Sequence, residues 1–131
     1  MTPADVLYKY WGYESFRECQ LEIIESVLDG RDTIGLLPTG GGKSITFQVP
    51  ALMLDGVTVV VTPLISLMKD QVDNLRERGI KAGCLNSSMS RAETRLCTDR
   101  LNLGLIKILY VSPEKLARKE FRQQLAHRCA V

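Results

Sequence analysis

Between residues 33 and 54 the chain changes character twice within a few positions. Thr33-Ile34-Gly35-Leu36-Leu37 is a short apolar run suited to a buried strand. Pro38-Thr39-Gly40-Gly41-Gly42-Lys43-Ser44 follows, and a helix is expected from about Lys43 to Leu54, kinked or ended early by Pro50. Glycines carry no Cβ, so consecutive backbone N–H groups can curl around an anion. A helix starting directly after them aims its positive end at the same point. Lys43 supplies a flexible point charge for β- and γ-phosphates, and the Ser44 hydroxyl is placed to ligate Mg²⁺. The segment reads as a phosphate-binding loop, with one departure from the strict GxxxxGK[ST] pattern: Leu37 stands where glycine is expected.

The rest of the chain alternates. A first helix is expected from Pro3 to about Tyr10, with Thr2 as N-cap and Pro3 in its first turn. Ser15-Phe16-Arg17-Glu18 has the form of a capping box for a second helix, whose apolar face is Leu21, Ile24, Val27 and Leu28 and whose end is Gly30. Val57-Thr58-Val59-Val60-Val61-Thr62 is β-branched throughout, as in a strand buried on both faces. A helix from Ser66 to Arg78, closed by Gly79, leads to a short strand at Ala82–Leu85. Ser90-Arg91-Ala92-Glu93 opens another helix that Gly104 stops, Ile106–Val111 is a further strand, and Ser112-Pro113-Glu114 caps a last helix. Strands alternating with helices predict a parallel sheet flanked by helices, an open α/β layer. Cys129-Ala130-Val131 looks like the first residues of one more buried strand.

At 131 residues and 45% hydrophobic content the chain has the length of one domain with a sizeable core, which argues against a disordered tail. No apolar run approaches the ~18 residues of a membrane span, and the first residues lack the basic and apolar regions of a secretory signal. Cys19, Cys84, Cys97 and Cys129 are widely spaced and read as reduced packing thiols of a cytosolic protein. His127 and Cys129 lack the partner pair a metal site needs. Charge is uneven: residues 1–65 carry −4 and residues 66–131 carry +6. The basic half fits a polyanionic partner such as nucleic acid, although on charge alone the solvated outer faces of helices are the better account.

Upstream of the glycines lies Trp11-Gly12-Tyr13-Glu14-Ser15-Phe16-Arg17-Glu18-Cys19-Gln20. A glutamine amide can pair bidentately with the N6/N7 edge of adenine, a tyrosine can stack on the base, and a guanidinium can reach a phosphate. On physics alone a solvated Gln20 and an aromatic staple of Trp11, Tyr13 and Phe16 account for the segment as well.

This segment, PTGGGKS, TPLISLMKDQV, CLNSS and YVSPEKL, in that order and over essentially the whole chain from Tyr10, resemble the N-terminal motor domain of the RecQ family of superfamily 2 DNA helicases. The resemblance implies a RecA-like phosphate-loop α/β fold that is incomplete, stopping before the strand of the DEAH motif. It also implies an adenine-reading helical segment over residues 1–31 and a core over 32–131. Tyr13, Arg17 and Gln20 match the adenine-reading motif, with Trp11 where Phe is usual and Glu18 where Pro is common. Pro38, Thr39, Gly40, Gly41, Gly42, Lys43 and Ser44 match the ATP-phosphate loop, Lys43 and Ser44 being the catalytic and Mg²⁺-holding positions.

Ser66, Leu67, Lys69 and Gln71 match a segment that faces or couples to single-stranded DNA in such motors. Asn86 and Ser87, and Ser112 and Pro113 with Glu114 and Lys115, match further strand-tracking turns. Expected partners are ATP, Mg²⁺, single-stranded or junction DNA and a second motor domain, with no membrane, in the cytoplasm or, in a eukaryote, the nucleus. The resemblance places the Mg²⁺-binding Asp and water-activating Glu just beyond Val131, and no adjacent Asp-Glu pair occurs in the sequence. The expected activity is ATP-driven 3′ to 5′ unwinding in DNA repair or recombination. The alternatives are a nucleotide-binding remnant without turnover and, less compatible with TPLISLMKDQV, a small-molecule kinase.

Overall fold

A computed structural model describes residues 1–17, 19–37 and 42–126, and it divides into two compact units, Met1–Asp55 and Gly56–Val131. The first unit is helical. α1 (Pro3–Trp11) begins where expected, and its cap is a full capping box: the Thr2 hydroxyl accepts from the Asp5 N–H while the Asp5 carboxylate accepts from the Thr2 N–H. Gly12, at φ +75°, ends it. α2 (Gln20–Leu28) does not open on the expected Ser15 box. Its N-cap is Cys19, left-handed at φ 68°, with no side-chain cap, and Gly30 closes its far end. The Gln20 side chain, which accepts from the Arg17 N–H, folds the segment ahead of the helix instead.

α3 (Ile45–Met53) carries Pro50 in its interior and still runs on to Met53, where the Leu54 N–H reaches the Pro50 carbonyl. A proline at this sixth position removes one hydrogen bond yet leaves the first turn intact. Val6, Ile24 and Val49, one from each helix, form the centre of this unit, with Trp11 and Phe16 packed against them.

The expected strand at 33–37 is not formed: residues 31–37 are irregular, with Ile34 and Leu36 each 88% exposed. An apolar run becomes a buried strand only beside a partner strand, and none pairs with it among the described residues.

The second unit holds a three-stranded, all-parallel sheet of β1 (Thr58–Val61), β2 (Ala82–Leu85) and β3 (Ile108–Val111) in the order β1-β3-β2. Thr58 and Ala82 both sit opposite Ile108, and Val61 and Leu85 both sit opposite Val111. This bears out the α/β parallel-sheet expectation. β3 is buried along its whole length. β1, expected to be buried on both faces, is an edge strand only partly covered, with Val61 48% exposed. Its valines meet a partner on one side alone among the described residues.

Crossover helices α4 (Ile65–Glu77) and α5 (Arg91–Asn102) join the strands, as parallel pairing requires. α5 opens on the expected Ser90/Glu93 box, and Gly79 and Gly104 terminate α4 and α5 from left-handed conformations. The last helical stretch, expected as one, is two: α6 (Pro113–Leu116), capped by Ser112, and α7 (Lys119–Ala126). Leu85, Leu109 and Val111 pack against Leu101 of α5 and Phe121 and Leu125 of α7. On the opposite face of β3 the Tyr110 hydroxyl donates to Gln71 of α4.

Candidate functional sites at the glycine loop and at the strand ends

In the first unit the residues proposed to read a base converge. A cavity of about 500 Å³ is lined by Tyr13, Arg17, Gln20 and Gly42, with Leu7 and Ile45 supplying apolar walls. Tyr13 is half exposed and Arg17 exposed. Gln20 is 2% exposed. Its Oε1 accepts from the Arg17 N–H at 2.8 Å, and its Nε2 donates to the Gly42 carbonyl at 3.0 Å. The glutamine is therefore a link between the upstream segment and the glycine loop, a role its sequence position did not reveal. Gly42 sits at φ +73°, and a Cβ there would come within 2.5 Å of Gln20 Nε2.

Lys43 follows, exposed, and Ser44 stands at the N-cap of α3, its carbonyl accepting from the Phe47 and Gln48 N–H groups. The Lys43 carbonyl is held by the Thr46 N–H and hydroxyl. Pro38, Thr39, Gly40 and Gly41 lie outside the described residues, as do Glu18 and His127 to Val131. The fit to a nucleotide is favourable where the chain is described: an apolar-walled cavity with an aromatic ring and a buried amide, a glycine where any side chain would collide, then a lysine and a hydroxyl. Among the described residues no group of three or more His, Cys, Asp or Glu could hold a metal ion. Mg²⁺ at Ser44 would draw its other ligands from nucleotide oxygens and water.

The turns matched to DNA contacts lie in the second unit, at the carboxyl ends of the strands, where open α/β sheets bind ligands. Asn86 and Ser87 follow β2, and Ser112 and Pro113 follow β3. Asn86 is buried and shapes its own turn: Oδ1 accepts from the Ser88 N–H at 3.0 Å and the Ser88 hydroxyl at 2.7 Å, while Nδ2 points at the Met68 sulfur. Ser112, 1% exposed, caps α6 through the Lys115 N–H. Gln71 is taken up by Tyr110. Ser66, Leu67, Lys69, Ser87 and Pro113 are exposed. Asn86, Ser87 and Lys115 meet at one cavity of about 530 Å³, and Asn86 with Lys69 lines a second of about 350 Å³.

Cys84 and Cys97 border the second cavity. Burial pushes the Cys84 thiol up, and burial with the neighbouring Cys84 takes Cys97 to about 11. Both remain neutral thiols near pH 7, which suits packing and not nucleophilic chemistry. No helix among the described residues is long and apolar enough to cross a membrane.

Comparison with known proteins gives the family of the chain. The DEAD/DEAH box helicase family matches residues 17–129. The chain is 47% identical to the ATP-dependent DNA helicase RecQ of Pasteurella multocida over 126 residues, covering 96% of this chain and 20% of that protein. It is 50% identical over 117 residues to the RecQ helicase of Bacillus subtilis, covering 88% and 20%. It is 42% identical over 117 residues to the ATP-dependent DNA helicase Q1 of Rattus norvegicus, covering 88% and 19%. The chain thus spans about one fifth of the length of these three curated relatives. It belongs to the DEAD/DEAH box helicase family, and within that family its sequence is similar to the RecQ helicases.

Proposed function

We propose that these residues are the nucleotide-binding portion of an ATP-dependent DNA helicase of RecQ type, unwinding 3′ to 5′ in repair or recombination, in the cytoplasm or nucleus. Residues 1–31 supply the adenine site, and residues 32–131 the phosphate loop and part of the DNA track. The observation that carries this reading is the cavity of Tyr13, Arg17 and Gln20 tied to Gly42 directly before Lys43 and Ser44. In this reading Tyr13 stacks on the base, Gln20 pairs with its edge and Arg17 faces the nucleotide. Pro38 to Gly42 cradle phosphates, Lys43 neutralises them, and Ser44 holds Mg²⁺, which screens the triphosphate charge when bound. Ser66, Leu67, Lys69, Gln71, Asn86, Ser87, Ser112 and Pro113 form or support the DNA track. A second motor domain supplies the rest of the site.

For the 131 residues by themselves we propose binding without turnover. Moving a phosphoryl group to water needs a carboxylate that orients the water and further positive charge, and no adjacent Asp-Glu pair occurs in this sequence. Titration with a fluorescent ATP analogue tests the nucleotide site, and DNA-stimulated phosphate release by the complete natural protein tests the activity. Lys43→Ala is expected to weaken nucleotide binding at least tenfold and abolish turnover, with folding retained because Lys43 is exposed. Undiminished turnover in that variant sinks the assignment.

A further inference from the structure

The larger cavity at the strand ends holds more charge than the motif residues account for. Besides Lys115 it is lined by Arg91 and Arg95 from the first turns of α5 and by Arg118 from the end of the α6 turn, against Asp99 and Glu114. Arg91, Arg95 and Arg118 are exposed, and among the described residues none of them has an ion-pair partner. Arg91 and Arg95, four apart, share one face of α5. On the α6 side of the cavity the Lys115 ammonium lies over the Phe121 ring, 5.2 Å from its centroid.

Two further features decide what such a cleft fits. Asn86 and Met89 line both this cavity and the neighbouring one, where Lys69, Arg76 and Arg100 face Asp73 and Glu93, so cationic side chains continue from one cavity to the next. Among the described residues no aromatic ring lines the larger cavity, so none of them there stacks on a base. Exposed guanidiniums that lack an ion-pair partner among the described residues, with no base platform beside them, suit the phosphate backbone of a polynucleotide, contacted without regard to sequence.

We propose that Arg91, Arg95 and Arg118 are additional phosphate contacts that carry a nucleic-acid strand from the Asn86–Ser87 turn through the cleft between α5 and α6. This rests on the DNA-binding reading above and adds residues that the resemblance did not match to DNA contacts.

The test is fluorescence anisotropy of a labelled oligo-dT and of a mixed-sequence strand with the complete natural protein, from 50 to 200 mM salt. Arg95→Gln/Arg118→Gln is expected to lose roughly tenfold or more in affinity at the lowest salt, equally for both strands, and to lower the salt slope by about 1.4, at about 0.7 per phosphate contact on single strands. Arg95→Lys/Arg118→Lys keeps the charge and is expected to keep the slope, which a merely structural role for the arginines would not predict. Binding of a fluorescent ATP analogue reports that the variants fold. Wild-type binding to DNA with an unchanged slope in the glutamine variant overturns this inference and leaves the helicase reading standing. Failure of the wild-type protein to bind DNA overturns both.

Discussion

Gln20 and Gly42, 22 residues apart, are joined through a side-chain amide whose other end holds the Arg17 backbone. A base that pairs with Gln20 meets an amide whose orientation these two bonds set, so in the proposed site base recognition and loop position are linked. Gly42→Ala meets two obstacles: a left-handed φ, worth about 1–2 kcal/mol for a residue with a Cβ, and a collision with Gln20 Nε2. Gln20→Ala removes the second obstacle and leaves the first. The two substitutions are therefore expected to couple by about 0.5 kcal/mol or more in a double-mutant cycle of unfolding. Strict additivity in urea unfolding would show that the amide does not hold the loop.

Glu93 accepts from the Ser90 N–H at 3.1 Å, and this bond, then the Ser90 hydroxyl, holds its carboxyl below the usual glutamate value. A carboxylate with a depressed value in the folded state contributes stability at neutral pH and loses it as pH falls through that value. Acid unfolding of α5 is therefore expected to steepen below the ordinary glutamate range. Glu93→Gln preserves an acceptor for the capping box but cannot titrate, so its melting temperature should vary less with pH over that window. Identical pH profiles for the two proteins would remove Glu93 from the account. Ser90→Ala, which deletes the other half of the box, is expected to cost about 1 kcal/mol near neutral pH.

What could be read in advance was what a residue settles with neighbours three or four positions away. Ser90 with Glu93, the Thr2 cap and the glycine stops at 30, 79 and 104 are of this kind. Alternation of strand and helix likewise implied a parallel sheet, because parallel neighbours need long crossovers. Partners distant in sequence were not readable. Ile34 and Leu36 look like a buried strand but depend on a neighbour, and the valines of β1 look central although among the described residues β1 pairs on one side alone. The site divides the same way. Lys43 and Ser44 follow from local chemistry, whereas the Gln20 link to Gly42 and the convergence of Arg95 and Arg118 on one cleft depend on packing.

Cys97 is buried against Leu85 and Leu101, and its thiol is pushed up to about 11, first by burial and then by Cys84. Thiolate is the reacting form, and a raised value in the folded state favours the neutral thiol up to that pH. Alkylation at pH 8, mapped by peptide mass spectrometry, is expected to modify exposed Cys19 while Cys97 stays unmodified until denaturant is added. Rapid native-state labelling of Cys97 would contradict its place in the core.

Tyr110, 1% exposed on the central strand, donates its hydroxyl to Gln71 on α4, the helix that also carries Ser66 and Lys69. Tyr110→Phe keeps the ring and deletes the donor, so the expected loss is about 1 kcal/mol, the usual net worth of one such bond. If Gln71 acts by positioning α4, Gln71→Ala and Tyr110→Phe remove the same interaction. The double variant should then be little less stable than either single one, with DNA affinity in all three within about twofold of one another. Urea unfolding and anisotropy with a labelled single strand measure the two quantities. A much larger loss of DNA affinity in Gln71→Ala than in Tyr110→Phe would make Gln71 a direct contact, because only that substitution removes a group that a strand could touch.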